Sequence, residues 1–270
     1  ATTGFTLGSK TVSLSNNVMD GLVLAKVDSV GEVDFLIPIT QENSYSASMG
    51  FDNYNNIYLA SESSEELFVG PSPPGSPQTA DFTFLLKMDN NGNPIFQKKF
   101  YDPIGTSSSV PFVGYGFNPP TVIGDLIVTE NSILVPMRAM DTVLLFDDTT
   151  YLTLSNSSQT TYNPGNGWIM NFIVLEFSLS GNFLNLHEHL DYAPHAYFNN
   201  KFLSYRADTI FELDTSNLSV IGTHIYTGIS DVQIDGDKMI ITVGNEMLIV
   251  DDNFNTIDTI GMVGIYNDGA

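Results

Sequence analysis

The chain has 270 residues, 42% of them hydrophobic and 15% charged, and its 31 acidic and 9 basic residues give a net charge of -22. Such a negative surface repels phosphate groups, which excludes nucleic acid and anionic membrane surfaces as partners. The chain has no cysteine, so disulfides and zinc–thiolate sites are excluded, and it has no apolar run long enough to cross a membrane.

One pattern recurs along the chain: an apolar strand, a short turn that begins with Asp or Ser and carries Gly or Asn three residues later, and a second strand. The acidic or hydroxyl side chain can accept a hydrogen bond from the backbone two residues on, and Gly or Asn can adopt the left-handed conformation that closes a short loop. The pattern predicts five β-hairpins, at Leu22–Ile39, Phe82–Phe100, Phe172–Leu190, Thr209–Tyr226 and Met247–Gly264. Their turn residues align as Asp28, Asp89, Ser178, Asp214 and Asp252, followed by Gly31, Gly92, Gly181, Asn217 and Asn255.

Two further apolar segments lie between successive hairpins, at 44–53 and 56–63, 121–130 and 132–140, 193–200 and 201–207, and 230–236 and 237–244. Each repeat therefore has four antiparallel strands, which is the composition of a propeller blade. We expect an all-β chain that forms a single β-propeller domain over residues 1–270, with about five four-stranded blades. Six blades, or a β-sandwich with long loops, are the alternatives.

The turn residues are separated by 61, 89, 36 and 38 positions, and the last two spacings are near the minimum for a blade. The first two spacings should therefore include loop insertions, at about 69–80, 102–120 and 141–170, in the second and third repeats. The first of these contains four prolines, which cannot complete a strand ladder, and it is expected to be an exposed loop. The third should include an extra hairpin, at 142–148 and 150–156, which would be a degenerate blade in a six-bladed propeller.

The segments Gly50–Ser61 and Asp81–Phe100 resemble the bacterial β-propeller repeat family often called SBBP. The matching residues are Asp52, Asn56, Tyr58, Asp81, Phe84, Lys87, Asp89 and Gly92. The resemblance implies a propeller that works outside the cytoplasm, extracellular, at a cell surface or on a virion, since similar repeats occur in surface-attached proteins and propellers of this kind in phage tails and spikes. It implies no catalytic residues.

Aromatic residues are concentrated in or beside the expected long loops. Flat rings are common at the centres of binding surfaces, and these side chains are the candidate contacts for a glycan or a protein partner. The alternative is that the rings fix their own loops to the face of the propeller. The candidates are Tyr101, Phe112, Tyr115, Phe117, Tyr151, Tyr162 and Trp168.

Three of the four histidines lie close together and form a candidate metal site. His187 and His189 would lie on one face of a strand, spaced for two imidazoles to reach one divalent ion, and His195 begins the next inner strand. The alternative is that they are ordinary polar residues of an outer strand. Oxygen-bearing residues alternate in two turns, at 89, 91, 93 and 251, 253, 255, but these turns lack the Gly and Glu of a calcium loop, and hairpin chemistry explains them better. Calcium at other acidic loops remains the more plausible cofactor, ahead of a divalent transition metal.

These features favour a non-catalytic extracellular recognition or structural module, such as a receptor-binding virion spike or tail component or a secreted adhesion domain, that binds glycans or protein subunits and can be part of a larger assembly. The alternative is a propeller-fold glycoside hydrolase or a related carbohydrate-active enzyme, which needs paired carboxylates at the mouth of the channel. Its candidates would be Asp52, Asp125, Glu130 and Asp231. The sequence contains no G-x-S-x-G nucleophile motif and no P-loop.

Overall fold

The computed structural model describes residues 3–14, 21–40, 47–63, 67, 82–101, 121–122, 125–139, 143–146, 150–153, 159–162, 169–188 and 194–261. These residues form an all-β structure without helices, as the sequence predicts, and accordingly none of the described segments is a helix capable of crossing a membrane. The chain divides into two compact units, Ala1–His189 and Leu190–Ala270.

The first unit contains sixteen strands in its described part. They are β1 (Thr3–Leu7), β2 (Lys10–Leu14), β3 (Val23–Val27), β4 (Val33–Pro38), β5 (Ala47–Phe51), β6 (Ile57–Ser63), β7 (Phe82–Met88), β8 (Pro94–Tyr101), β9 (Thr121–Val122), β10 (Ile127–Val128), β11 (Ser132–Ala139), β12 (Val143–Phe146), β13 (Thr150–Thr153), β14 (Gln159–Tyr162), β15 (Ile169–Ser178) and β16 (Phe183–His187).

The strands of the first unit form two four-stranded antiparallel meanders and two hairpins. Sheet 1 has the order β5-β6-β7-β8, and the β12–β13 hairpin extends it at the β8 edge. Sheet 2 has the order β10-β11-β15-β16. Strand β9 also pairs with β11, on the same side as β10, and β14 also pairs with β15, on the same side as β16. The β1–β2 and β3–β4 hairpins are each two-stranded among the described residues. The predicted extra hairpin is thus present, and it extends sheet 1 instead of forming a sheet of its own.

The second unit contains eight described strands in two further meanders. Sheet 3 consists of β17 (Ala196–Phe198), β18 (Lys201–Arg206), β19 (Thr209–Leu213) and β20 (Val220–Ile225), and sheet 4 of β21 (Ile229–Asp235), β22 (Lys238–Val243), β23 (Glu246–Val250) and β24 (Thr256–Gly261). Four four-stranded meanders in succession are the blade arrangement of a β-propeller. The five predicted hairpins are all present, four of them as the outer pair of one of these sheets.

The hairpin turns share one construction. In each of the five, the strand register shifts by one residue just before the turn, and the first turn residue accepts backbone N–H groups with its side chain. Gly31, Gly92 and Gly181 have φ angles of 90°, 83° and 85°, the left-handed conformation that glycine adopts without strain.

Two of the turns differ from the prediction by one residue, one in its position and one in its length. The last turn begins at Asp251, whose carboxylate accepts the N–H of Asn253 and of Asn255, and Phe254 is the left-handed residue with φ 62°. The fourth turn is one residue longer than the others, because the N–H of Asp214 donates to the carbonyl oxygen of Ser219. Leu218, not Asn217, is left-handed there.

The hydrophobic core lies between stacked sheets. Strands β6 and β7 are buried on both faces, so that Leu59 and Leu86 pack against the β3–β4 hairpin while Ala60 and Leu85 pack against sheet 2. Strands that are covered on both faces have near-continuous apolar sequences, and each large aliphatic side chain buried in this way contributes about 1.5–3 kcal/mol. In the second unit, sheets 3 and 4 pack on each other through a separate cluster that includes Leu203.

Candidate functional site

The long connections of the first unit all leave the same end of its two sheets. Residues 64–81 join β6 to β7, 102–120 join β8 to β9, and 140–168 lie between β11 and β15. In antiparallel sheets these strand ends are adjacent, and Val122 of β9 belongs to the same buried cluster as Ala60 and Phe100 of sheet 1. We call this end of sheets 1 and 2 the loop end, and the opposite end, with the tight hairpin turns, the turn end.

Regular strand pairing continues at the loop end beyond the four-stranded meanders. Strand β12 pairs with the last residues of β8, and β14 pairs with the first residues of β15. The corresponding connections in the second unit are two-residue turns, Ala207–Asp208 between β18 and β19 and Gly244–Asn245 between β22 and β23. The long connections at this position are therefore a property of sheets 1 and 2.

Sheet 1 buries polar side chains at its loop end, although the middle of the same strands is apolar. The buried polar residues are Ser61, Glu62, Ser63, Thr83 and Lys99, none of them more than 5% exposed. The ammonium group of Lys99 lies 4.6 Å from the centre of the Phe82 ring. The hydroxyl of Thr83 has no hydrogen-bond partner among the described residues. Burial of polar groups is unfavourable unless they are hydrogen-bonded or paired, so the surroundings of sheet 1 are more polar at this end than in its middle.

Three of the predicted aromatic contact residues have their backbones at the loop end. Tyr101 of β8 pairs with Leu145 of β12, and Leu145 pairs with Tyr151 of β13, so the two tyrosines lie on one cross-strand line of sheet 1. Tyr162 of β14 pairs with Ile169 at the start of β15. The other candidates, Phe112, Tyr115, Phe117 and Trp168, lie outside the described residues. Their role in binding stays a prediction.

The histidines expected to form a metal site have other contacts where they are described. His187 is buried in β16, and its Nε2 lies 3.1 Å from a carboxylate oxygen of Glu176 on β15. His195 belongs to the second unit, where its ring contacts Ser204 and Tyr205. His189 lies outside the described residues, and within the described ranges no three His, Asp or Glu side chains form a metal-binding group.

The four carboxylates considered for catalysis lie on different turns and strands. Asp52 begins the β5–β6 turn, and Asp231 in edge strand β21 accepts the N–H of Val232 with one oxygen and the amide of Gln233 with the other. Asp125 and Glu130 are exposed in the segments that flank β10. The side-chain oxygens of Asn185 in β16 and Asp258 in β24 also accept the backbone N–H of the residue that follows, as Asp231 does. In three edge strands a backbone N–H is therefore hydrogen-bonded by a side chain of the same strand.

A buried polar network at the turn end joins sheets 1 and 2. Asp52 accepts a hydrogen bond of 3.0 Å from the hydroxyl of Tyr58 and forms an ion pair of 3.5 Å with Lys87. The ammonium group of Lys87 also donates to the carbonyl oxygen of Leu179 in the β15–β16 turn, at 2.9 Å. Burial raises the pKa of Asp52, but hydrogen bonds from Asn56, Tyr54 and Tyr58 lower it by more, so the carboxylate stays ionised. Burial and the adjacent Asp52 raise the pKa of Tyr58.

The contact between Lys87 and the next turn is repeated in the preceding pair of sheets. Lys26 also lies two residues before its turn aspartate, and its ammonium group donates to the carbonyl and the side chain of Asn90, the second residue of the β7–β8 turn. Gly92 of that turn packs on Ile37 of β4, and Gly181 of the β15–β16 turn packs on Phe96 of β8. These residues were visible as a repeat in the sequence, but their contacts between repeats were not.

A second charged cluster lies on the face of sheet 3 that packs against sheet 4. One oxygen of the Glu212 carboxylate lies 2.6 Å from the ammonium group of Lys201, and the other lies 2.6 Å from Nε2 of His224. The His224 ring stacks on Phe254 of the β23–β24 turn, with 3.5 Å between the ring centres. Burial raises the pKa of Glu212, and the hydrogen bonds from Lys201 and His224 lower it by more. No sequence pattern indicates this cluster, because its three charged residues lie on three different strands.

Comparisons with known proteins give only distant likenesses. No protein-family model and no curated protein matches the chain. Similar solved structures include a protein of unknown function from Bacteroides caccae, with 10% identity, a TM-score of 0.43 and coverage of 87% of this chain and 73% of that one. BamB from Moraxella catarrhalis has 11% identity, a TM-score of 0.33 and coverage of 95% and 72%, and apo AztD from Citrobacter koseri has 9%, 0.34, 90% and 92%. At such TM-scores these likenesses support no conclusion about function.

Proposed function

We propose that the chain is a non-catalytic recognition or structural module that works outside the cytoplasm, at a cell surface or on a virion. A receptor-binding spike or tail component and a secreted adhesion domain are the two forms of this role. The observation that carries the proposal is that all three long connections of the first unit leave the loop end of sheets 1 and 2. Loops held on a rigid scaffold are the usual place of binding residues.

The proposed module has five repeat units and is a divergent relative of the SBBP repeats. The β3–β4 hairpin packs on sheet 1 through Leu24 and Phe35. Ile37 of the hairpin contacts Gly92 in a turn of sheet 1, in the same way that Phe96 of sheet 1 contacts Gly181 in a turn of sheet 2. Because the β3–β4 hairpin makes the same contact with the following sheet as the outer strands of sheet 1 do, we interpret it as the outer strand pair of a fifth repeat unit. The repeat residues Asp52, Tyr58 and Lys87 have one shared role in the chain, the network at the turn end.

The ligands that we propose for the loop end are glycans or protein subunits. The aromatic residues in and beside the long connections, such as Tyr101 and Trp168, are the candidate contacts for such ligands. The negative net charge argues against anionic ligands unless calcium is bound at the acidic loops, so calcium is included as a variable in the test.

The test replaces the long connections by turns that the chain itself uses. Ser63 and Phe82 are the last paired residues of β6 and β7 before the connection 64–81. In sheet 3 the equivalent pair, Arg206 and Thr209, is joined by the two-residue turn Ala-Asp. Residues 64–81 can therefore be exchanged for Ala-Asp. Wild type and variant are applied to an array of oligosaccharides with and without calcium. We expect glycan binding by the wild type and its loss in the variant. The exchange also removes Leu67, which is buried in the core cluster of sheet 1, so the melting temperature of the variant should fall by a few degrees while its circular dichroism spectrum stays that of the folded chain.

Two results would contradict the proposal. Glycan binding that survives the shortening of each long connection in turn would exclude the loop end as the contact surface. Release of reducing sugar from a bound oligosaccharide would show catalysis and favour the glycoside hydrolase alternative.

A further inference from the structure

We propose that Tyr54, at the turn end of sheet 1, is the stacking platform of a second binding site, and that its ligand is a neutral glycan. The site is separate from the loop end and does not depend on the function proposed there. Tyr54 lies in the β5–β6 turn and is 79% exposed, which makes it one of the most exposed large hydrophobic side chains among the described residues.

The turn holds Tyr54 in a fixed backbone position. One oxygen of the Asp52 carboxylate accepts the N–H of Tyr54 and the N–H of Asn56, both at 2.9 Å, and the N–H of Asn55 donates to the Asp52 carbonyl at 2.9 Å. The other carboxylate oxygen binds Tyr58 and Lys87 below the turn. A binding residue on such a turn loses little conformational entropy when its ligand binds.

The chemistry of the turn surface fits a sugar. Asn53 and Asn55 are exposed on either side of Tyr54, and Phe51 next to the turn is 55% exposed. Tyrosine supplies a flat, rigid contact area, and asparagine amides supply hydrogen bonds that hydroxyl groups can complete. The segment from Met49 to Asn56 has one charged residue, and its carboxylate is only 2% exposed and already bonded within the turn.

The exposed side chains of Met49, Phe51 and Tyr54, together with the absence of an accessible charge from Met49 to Asn56, point to one ligand class. A protein partner needs a wide contact area around a buried apolar centre, whereas a single pyranose ring is about the size of one aromatic face and carries hydroxyl groups at its rim. A neutral glycan also avoids the repulsion that the net charge of -22 imposes on anionic ligands.

The matched variant is Tyr54→Asn. The β7–β8 turn has the sequence Asp89-Asn90-Asn91-Gly92-Asn93 with the same hydrogen bonds, so asparagine is the natural residue at this turn position. The variant should keep the turn and lose only the ring, and Tyr54→Phe keeps the ring. Wild type and both variants are titrated with cellohexaose, maltohexaose, mannohexaose and chitohexaose by isothermal calorimetry and saturation-transfer NMR. The variant with residues 64–81 exchanged for Ala-Asp is titrated beside them.

We expect the wild type to bind at least one hexasaccharide, Tyr54→Phe to bind within about twofold of it, and Tyr54→Asn to lose about tenfold or more in affinity at an unchanged melting temperature. The loop variant should retain this binding. Equal affinity of wild type and Tyr54→Asn would overturn the inference, and so would no binding of any hexasaccharide by the wild type. Loss of binding in the loop variant alone would support the loop end and reject Tyr54.

Discussion

The ammonium group of Lys87 in sheet 1 and the carbonyl oxygen of Leu179 in sheet 2 are joined by a hydrogen bond of 2.9 Å across 92 residues of sequence. The same ammonium group faces the carboxylate of Asp52. One side chain thus connects a turn aspartate of its own sheet with the turn of the next sheet, and the β7–β8 turn receives an equivalent bond from Lys26.

Replacement of Lys87 by Met should lower the free energy of unfolding by about 2–4 kcal/mol, because the buried carboxylate of Asp52 and the carbonyl of Leu179 lose a charged partner. Lys26→Met is the matched control. Lys26 is 35% exposed, against 10% for Lys87, and it should lose less than about 1 kcal/mol. Urea denaturation followed by circular dichroism measures both. Equal losses would show that burial of the ammonium group is unimportant.

Gly92→Ala should destabilise the protein more than Gly31→Ala, although both glycines are left-handed in equivalent turns. A Cβ at Gly92 would lie 2.3 Å from Cδ1 of Ile37, whereas a Cβ at Gly31 would meet nothing within 4 Å. The left-handed conformation alone costs an alanine about 1–2 kcal/mol, and at Gly92 the terminal methyl of Ile37 must also move, which adds about 1 kcal/mol, the lower end of the usual cost of overpacking. Melting temperatures of the two variants test the contact, and a larger loss for Gly31→Ala would argue against the stacking of the β3–β4 hairpin on sheet 1.

The stability should fall in acid because turn carboxylates have lowered pKa values in the folded chain. Side-chain and backbone hydrogen bonds from Asn93 lower the pKa of Asp89, and bonds from Asn255 do so for Asp251. A carboxyl group whose pKa is lower in the folded chain than in the unfolded chain stabilises the fold at pH values above its unfolded pKa. This stabilisation is lost as the pH falls through the folded pKa. Both values lie below the ordinary 3.8, so melting temperatures should fall as the pH drops below about 4.

The acid effect can be assigned with Asp89→Asn, which keeps an oxygen acceptor for the N–H groups of Asn91 and Asn93 but removes the titrating charge. Its melting temperature at neutral pH should be lower than that of the wild type, and the difference should shrink as the pH falls below about 4. A constant difference between the two proteins across this range would mean that Asp89 does not contribute to the acid transition.

Glu212→Gln should lower the free energy of unfolding by about 1–3 kcal/mol, because the amide carries no charge and has a single oxygen acceptor, whereas the carboxylate offers one oxygen to Lys201 and the other to His224. Lys201→Gln is the control. The Lys201 side chain is 36% exposed and the Glu212 side chain 11%, so the lysine variant should lose about 1 kcal/mol or less. Chemical denaturation distinguishes the two. A larger effect of Lys201→Gln would place the stabilisation in the exposed ion pair instead of the buried carboxylate.

Much of the secondary structure could be predicted from the sequence because it depends on local chemistry. Alternating or continuous apolar runs and the Asp-x-x-Gly turns are readable within a few residues, and the predicted strand pairs are present in all four sheets. The start of the last turn at Asp251, instead of the predicted Asp252, is also explained by the local sequence. Asp251, Asn253 and Asn255 repeat the spacing of Asp89, Asn91 and Asn93, and this spacing identifies the turn better than the Gly or Asn position did.

The candidate sites could be predicted only in part. The sequence placed the long connections in the second and third repeats, but it could not say that they leave one end of adjacent sheets. It named His187 as one of three candidates for a metal site, but it could not say that a carboxylate oxygen of Glu176 on the neighbouring strand lies 3.1 Å from the ring nitrogen. Tyr54 was not singled out, because its exposure depends on a turn that is recognisable only when its hydrogen bonds are known.

The sequence alone determined the all-β class, the positions of the hairpins and the places of the insertions, since each follows from residues that are neighbours in the chain. The tertiary structure decided which sheets stack and which polar groups meet between them. Lys87 and Leu179, or Gly92 and Ile37, are far apart in sequence, and no local pattern encodes their contact. It arises because stacking within each unit buries the apolar faces of neighbouring sheets, and in the first unit it brings the turn of one sheet onto the strands of the sheet before it.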